Sequence, residues 1–232
     1  RMNKKDKIMS TNKNIQDPEI KVGEALSRTE KFLEKYKNVM IYGVIAILVV
    51  AGAIYAYHNF VTLPAQQEAM GQTFTAEQYF RNGDFEKALN GDGNALGFAE
   101  IISEYGTKSG EAVYFYAGVC NLQLGKFQEA IDNLKKYNGE DEIILARSIA
   151  CIGDAYAGLN DFNTAISYYK KAASSADNIF AANYLFKAAT LLEEQGNNAE
   201  ALKMYQEIKD KYPQSTEGYE IDKYITRIQA TK

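Results

Sequence analysis

The chain has 232 residues, of which 26 are Lys or Arg, 30 are Asp or Glu and one is His. Its net charge of −4 is divided unevenly: residues 1–38 carry ten basic and six acidic side chains (+4), so residues 39–232 carry 26 − 10 = 16 basic and 30 − 6 = 24 acidic ones (−8). The length allows one domain with a substantial core. The acidic balance after residue 38 argues against nucleic acid as a ligand, because phosphate binding requires clustered Lys and Arg.

The N-terminal segment divides into a polar tail and a helix. Residues 1–22 contain few apolar side chains, which predicts a disordered cytoplasmic tail whose start is either Met2 or Met9. Residues 23–38 have helical spacing, with Phe32, Leu33 and Tyr36 among charged side chains. This helix is interpreted as an amphipathic juxtamembrane helix; docking on a cytoplasmic partner and a solvated extension of the next helix remain open alternatives.

Residues 39–57 form an uninterrupted apolar run of nineteen residues without one charged side chain. A helix of this length covers about 28 Å, close to the roughly 30 Å hydrocarbon core of a bilayer, which predicts a single transmembrane helix. The alternative is a cleaved signal peptide, since residues 51–53 read Ala-Gly-Ala, but 38 residues precede the run and its apolar character continues to Tyr57.

The flanking charges predict the orientation of this helix. Arg28, Lys31, Lys35 and Lys37 lie just before it, whereas residues 58–78 contain no Lys or Arg. The positive-inside rule therefore places the N-terminus in the cytoplasm and the remainder in the periplasm, with the helix in a bacterial inner membrane.

After Pro64 the sequence repeats itself. The segments 120–134, 156–169 and 191–205 align, with a small residue, a turn former and an Ala at equivalent positions. These positions are, in order along each repeat, Gly118, Gly153 and Ala189; Gly125, Asn160 and Gly196; and Ala130, Ala165 and Ala201. The spacing of 35 and then 36 residues is typical of a helix-turn-helix solenoid.

These residues resemble the tetratricopeptide repeat (TPR) family, although the Trp that this family places in its first helix is absent. The resemblance implies an all-α fold: one N-terminal transmembrane helix, then a TPR-like solenoid over residues 65–232 with a C-terminal capping helix. About four repeats are expected. In the first, an insertion of about six residues near 90–97 interrupts the second helix.

The resemblance also implies a binding groove on the first helix of each repeat. Carried over position by position, the groove residues are Met70, Phe80, Phe115, Val119, Leu122, Arg147, Asp154, Asn183 and Phe186. TPR proteins that clamp a carboxylate place Lys and Asn in this groove, but Thr73 and Glu77 occupy two of those positions here. The resemblance therefore implies binding of unfolded segments or a partner helix, not such a clamp.

No motif predicts catalysis. The sequence contains no nucleophile elbow, phosphate-binding loop, His-based triad or metal-ligand cluster, so we expect no enzyme activity, cofactor or metal. Two interpretations of Cys120 and Cys151 remain open: a disulfide in an oxidising compartment, or two small buried side chains.

The layout, one span followed by an exported TPR domain, is similar to that of the YfgM-type ancillary subunits of the SecYEG translocon. That resemblance implies SecYEG and a PpiD-type chaperone as partners, and unfolded exported polypeptides as clients. The alternative is a scaffold that coordinates cell-wall synthesis or outer-membrane biogenesis, and an enzyme with an unrecognised site is a weaker third possibility.

Overall fold

The structure is a computed structural model that describes residues 18–175 and 178–230, with side chains from residue 30 onward. Its described residues fall into two compact units, which divide between residues 60 and 61. Residues 1–17 of the predicted tail, with both candidate start residues, lie outside the described part. Residues 18–22 belong to a helix, unlike the prediction.

The first unit contains one long helix, α1 (Pro18–Tyr57). It joins the predicted juxtamembrane and apolar segments into one continuous element, and every side chain from residue 30 to residue 57 is exposed. Within the described residues, one helical stretch, inside Glu30–Arg81, is long and apolar enough to cross a membrane by length and composition. A π-helical turn follows α1 at His58–Thr62.

The second unit consists of helices and their connections. They are α2 (Leu63–Arg81), α3 (Phe85–Asn90), α4 (Phe98–Tyr105), α5 (Glu111–Gln123), α6 (Phe127–Leu134), α7 (Glu142–Gly158), α8 (Phe162–Ser175), α9 (Ala181–Glu194), α10 (Asn198–Lys211) and α11 (Thr216–Ala230), with a 3₁₀ turn at Gly106–Ser109. No strand occurs in the part of the chain described, and the all-α class predicted from the sequence is confirmed.

Four helix pairs share one turn geometry. The second residue after each first helix has a left-handed backbone, with φ of 77° at Gly83, 73° at Gly125, 62° at Asn160 and 76° at Gly196. The amide of the following residue donates a hydrogen bond to the carbonyl five residues before it, as Lys126 does to Asn121 at 2.8 Å. This is the hydrogen bond of a Schellman cap, and it satisfies a carbonyl at the helix end. The turn formers predicted at 125, 160 and 196 are confirmed.

The small residues of the repeat lie where paired helices touch. A Cβ atom on Gly118 would come within 2.5 Å of Cγ of Leu134, and one on Gly153 within 2.8 Å of Cε1 of Tyr169. Ala189, at the third equivalent position, is fully buried. The predicted close approach of paired helices is therefore confirmed at Gly118 and Gly153.

The core runs along the second unit as three successive clusters of buried side chains. The first joins α2, α3, α4 and α5, the second joins α5, α6 and α7, and the third extends from α7 to α11. Because α5 and α7 each contribute to two clusters, every helix pair buries its apolar face against the next pair, as expected of a solenoid.

The second helix of the first pair is interrupted. Residues 91–97 separate α3 from α4, and the carboxylate of Asp92 holds this loop. Asp92 accepts hydrogen bonds from the Tyr79 hydroxyl at 2.7 Å and from the amides of Asn94 and Ala95 at 2.9 and 2.8 Å. The loop is thus fastened to α2.

Helix α11 covers the end of the last pair. Ile221, Ile225 and Ile228 are buried in the third cluster. The guanidinium of Arg227 donates two hydrogen bonds to the carboxylate of Glu193 on α9, at 3.0 and 2.8 Å. Buried isoleucines and this bidentate pair together give α11 the position of a capping helix.

Candidate functional site

A cavity of about 380 Å³ lies between α5, α7 and the start of α9. Its wall is mainly apolar, with five polar or charged side chains placed among the apolar ones. The lining residues are Val119, Leu122, Gln123, Ile143, Arg147, Ala150, Cys151, Asp154, Phe180, Asn183, Tyr184 and Lys187. We call this the first cavity.

A second cavity of about 500 Å³ lies between α2, α5 and α7. Its lining combines aromatic and aliphatic side chains with three charged ones: Glu77, Phe80, Arg81, Phe115, Tyr116, Ile143, Ile144 and Arg147. Ile143 and Arg147 line both cavities, so the two adjoin along one edge of α7. Together they are called the candidate groove.

Most of the groove residues expected from the TPR resemblance line these cavities. Five of the nine line the first cavity: Val119, Leu122, Arg147, Asp154 and Asn183. Phe80 and Phe115 line the second, together with Arg147. Phe115 is only 7 % exposed and packs its ring 5.7 Å from that of Tyr137. Its side chain therefore forms a wall of the cavity more than a free contact surface.

Two expected groove residues lie elsewhere. Met70 on α2 is 68 % exposed and lines neither cavity. The ring of Phe186 packs between those of Tyr205, at 5.8 Å, and Tyr224 of α11, at 4.8 Å. Because α11 packs over this part of α9, Phe186 belongs to the core of the C-terminal end and the groove ends before it.

Asn183 lies at this boundary. Its side-chain amide lines the first cavity and also donates a 2.7 Å hydrogen bond to the carboxylate of Glu217 on α11. The capping helix therefore fixes the side chain that closes the groove on this side.

Ile143, Phe180 and Lys187 are among the lining residues that were not expected from the sequence. Ile143 and Phe180 are 49 % and 51 % exposed, and Lys187 projects from α9. Ile143 lies four residues before Arg147, and Lys187 four residues after Asn183. Residues four apart share one face of a helix, so this spacing was the signal that could have identified Ile143 and Lys187.

Asp154 is the acidic group of the first cavity, and its charge is compensated there. Lys187 places Nζ 2.6 Å from Oδ1 of Asp154, and the hydroxyl of Tyr169 donates to the same oxygen at 2.8 Å. Burial raises the pKa of the Tyr169 hydroxyl, and the neighbouring Asp154 charge raises it further. Tyr169 therefore remains a neutral donor at every physiological pH.

Cys120 and Cys151 are free thiols packed in different core clusters. Burial raises the pKa of Cys151 to about 11 and that of Cys120 to about 12. The thiolate is the reactive form of cysteine, so both side chains are unreactive near neutral pH. They behave as small apolar residues.

The candidate groove offers two kinds of contact, apolar and polar. It contains partly exposed apolar side chains. Beside them, Asn183 donates a hydrogen bond to Glu217 and Lys187 donates one to Asp154. No group of three or more His, Cys, Asp or Glu side chains positioned for a metal ion occurs within the described residues. Contact by apolar burial and hydrogen bonding is the chemistry that these side chains provide.

Comparison with protein families identifies two segments of the chain. Residues 146–178 and residues 184–215 each match a tetratricopeptide repeat family. No characterised protein matches the chain at the level of sequence. The two segments contain most of α7 and α8 and of α9 and α10, the helix pairs that share the turn described above. The chain therefore contains tetratricopeptide repeats, a module with which proteins bind other proteins.

Proposed function

We propose that this protein is a noncatalytic, membrane-anchored adaptor whose candidate groove binds segments of other proteins. Residues 39–57 cross the inner membrane with the N-terminus in the cytoplasm, and the repeat unit acts in the periplasm. The proposal combines the TPR module with the apolar, charge-free run in α1.

The observation that carries the proposal is the exposure of apolar side chains inside the groove. Ile143 and Phe180, each about half exposed, flank the first cavity. Burying such surface stabilises a complex by roughly 25 cal/mol for each Å² removed from water. A groove lined in this way favours a partner that contributes apolar side chains of its own.

We place this activity at the Sec translocon, where the adaptor helps newly exported chains pass to a PpiD-type chaperone. The layout of one span and an exported repeat unit supports this assignment. A membrane anchor beside the channel raises the effective concentration of the groove to about the millimolar range, so weak contacts suffice. Weak contacts also allow a bound client to dissociate quickly.

Photocrosslinking in cells tests the proposal. A crosslinking amino acid replaces Leu122 or Ile143 in the groove, Ile47 in the predicted span, or Tyr219 on α11 as a control that lines neither cavity. We expect the groove positions to capture exported chains and a chaperone, and the span position to capture SecY. Recovery of cell-wall synthases or outer-membrane assembly proteins would instead support the scaffold function.

Charge substitutions provide the matched functional test. Ile143→Asp removes an exposed apolar contact, and we expect it to reduce capture without changing helicity. Phe115 is unsuitable for this test, because a charge at a side chain only 7 % exposed would unfold the pair that it packs in. Undiminished capture by Ile143→Asp would refute the groove assignment.

A further inference from the structure

Ile143 and Arg147 form a ridge that divides the candidate groove. They lie four residues apart on α7, and each lines both cavities. Both side chains are exposed along this ridge. A polypeptide that fills both cavities must therefore pass over Arg147.

Arg147 carries the uncompensated charge of the groove. Lys187 pairs with Asp154 at 2.6 Å, and Arg81 pairs with Glu77 at 3.3 Å. Among the residues that the structure describes, Arg147 has neither an ion pair nor a hydrogen bond. The lining of the two cavities thus contains three cationic and two anionic side chains. This excess of positive charge contrasts with residues 39–232 as a whole, whose net charge is −8.

The surroundings of Arg147 favour a carboxylate over other anions. A guanidinium presents a planar fork of donors that matches the two oxygens of a carboxylate. Apolar side chains on both sides, such as Phe180 in the first cavity and Ile144 in the second, become covered once a partner is bound, and exclusion of water strengthens the charge-assisted hydrogen bonds. A partner segment whose acidic residue has no apolar neighbours would bind Arg147 but leave both cavities empty.

We propose that Arg147 makes the groove selective for segments in which one Asp or Glu side chain lies between apolar residues. The carboxylate binds the guanidinium on the ridge, and an apolar side chain on each side enters one cavity. This inference rests on the proposed function of the groove and adds the chemistry of the partner that it selects.

The test uses the full chain in detergent and labelled synthetic peptides, with binding measured by fluorescence anisotropy. The first peptide has one Glu flanked on both sides by Leu and Phe; the second has Gln in place of Glu; the third keeps Glu but has Ser flanks. We expect the first peptide to bind about tenfold more tightly than the second, and the advantage to shrink at high salt. The third peptide is expected to bind weakly.

Three variants separate selectivity from binding. Arg147→Gln should remove the preference for Glu over Gln, whereas Ile143→Asp should weaken binding of both peptides. Lys126→Gln is the matched control, since Lys126 is exposed and lines neither cavity, and we expect it to bind as the wild type does. Circular dichroism verifies that each variant is folded.

The outcomes distinguish the two proposals. Equal binding of the Glu and Gln peptides, with loss of both in Ile143→Asp, would overturn the role of Arg147 and leave the groove intact. Absence of binding by every peptide would overturn both. Concentration-dependent self-association of the full chain that Arg147→Gln abolishes would assign the ridge to a second copy of the protein and also overturn the proposal.

Discussion

At position 118, the space between two paired helices accommodates a hydrogen atom and nothing larger. The methyl group of an alanine would lie 2.5 Å from Cγ and 2.8 Å from Cδ2 of Leu134, with the backbone nitrogen of Leu134 at 3.2 Å. Relief therefore requires the Leu134 side chain, which is only 1 % exposed, to leave its packed position, or α6 itself to move. Glycine is retained here despite its low helix propensity.

We expect Gly118→Ala to destabilise the protein, because overpacking costs about 1–3 kcal/mol and outweighs the ~1 kcal/mol that alanine gains in helix propensity. Gly71→Ala is the control. Gly71 also lies in a helix, but nothing is within 4 Å of its added methyl group, so that variant should be stabilised by up to about 1 kcal/mol. Urea unfolding followed by circular dichroism measures both, and a stabilised Gly118→Ala would contradict the packing argument.

Asp92 is the residue on which the interrupting loop depends. The hydrogen bond from Tyr79, followed by those from the amides of Ala95 and Asn94, lowers the pKa of its carboxyl from 3.8 to about 2. A lowered pKa in the folded state stabilises the fold above the unfolded pKa, and this contribution is lost as the pH falls toward the folded pKa.

The wild type should therefore be more stable than Asp92→Ala at neutral pH, and this difference should shrink as the pH falls from about 4 to about 2. Other carboxyl groups titrate in both proteins and cancel in the comparison. The measurement is the difference in free energy of unfolding between the two proteins across that pH range. A difference that stays constant would show that the Asp92 carboxyl is not held in its charged form by the loop.

Some residues that line the candidate groove could be predicted from the sequence and others could not. Val119, Leu122 and Arg147 follow from the repeat, because a fixed position on each first helix faces the same side of the solenoid. Phe186 occupies such a position too, yet α11 packs against it. A periodic pattern describes one repeat at a time, so it does not show which neighbour covers a given face.

At the scale of the element, the repeat determines where helices end. The left-handed residue recurs at 83, 125, 160 and 196, so successive spacings are 42, 35 and 36 residues. The longer first spacing reflects the seven residues, 91–97, that separate α3 from α4. Turn chemistry of this kind is local and can be predicted from single residues such as Gly125 and Asn160.

Helix α1 shows the limit of such local reasoning. The sequence suggests a boundary near residue 38, where charged residues give way to apolar ones, but the structure continues one helix through it. Composition changes with the solvent that a helix meets, but no helix-breaking Gly or Pro lies between Lys37 and Met40. A change of environment therefore need not be a change of element.

Helix α11 closes the apolar face that the last pair would otherwise expose. Ile221→Ala removes a side chain that is 1 % exposed, and we expect it to cost about 2–5 kcal/mol of stability through the lost burial and the cavity left behind. Tyr219→Ala, on the same helix but 77 % exposed, should change stability by less than about 0.5 kcal/mol.

Urea unfolding and amide hydrogen exchange measure this pair of variants. Because repeats couple to their neighbours, Ile221→Ala should also increase exchange in α9 and α10, which share its cluster. Exchange that increases in α11 alone would indicate that this helix is attached without supporting the repeats.

At the scale of the whole molecule, the sequence is divided by charge and by hydropathy at the same place. Residues 1–38 carry a net charge of +4, the nineteen residues that follow carry none, and residues 58–232 carry −8. A basic flank on one side of an apolar run is the arrangement that the positive-inside rule associates with a cytoplasmic N-terminus. The rule counts Lys and Arg and gives little weight to Asp and Glu, so the acidic excess of residues 58–232 does not oppose this orientation.

We therefore expect a protease added to bacterial spheroplasts to digest the repeat unit while an epitope at the N-terminus stays protected. Replacing Arg28, Lys31, Lys35 and Lys37 with Gln, and adding Lys within residues 58–62, should reverse this pattern in part of the molecules, because the charge bias that sets orientation is then reversed. Alkaline extraction provides the control, since an uncleaved anchor keeps the full-length chain in the membrane pellet. Release of a shortened, soluble chain would show that residues 39–57 act as a cleaved signal, and digestion only after permeabilisation would place the repeats in the cytoplasm.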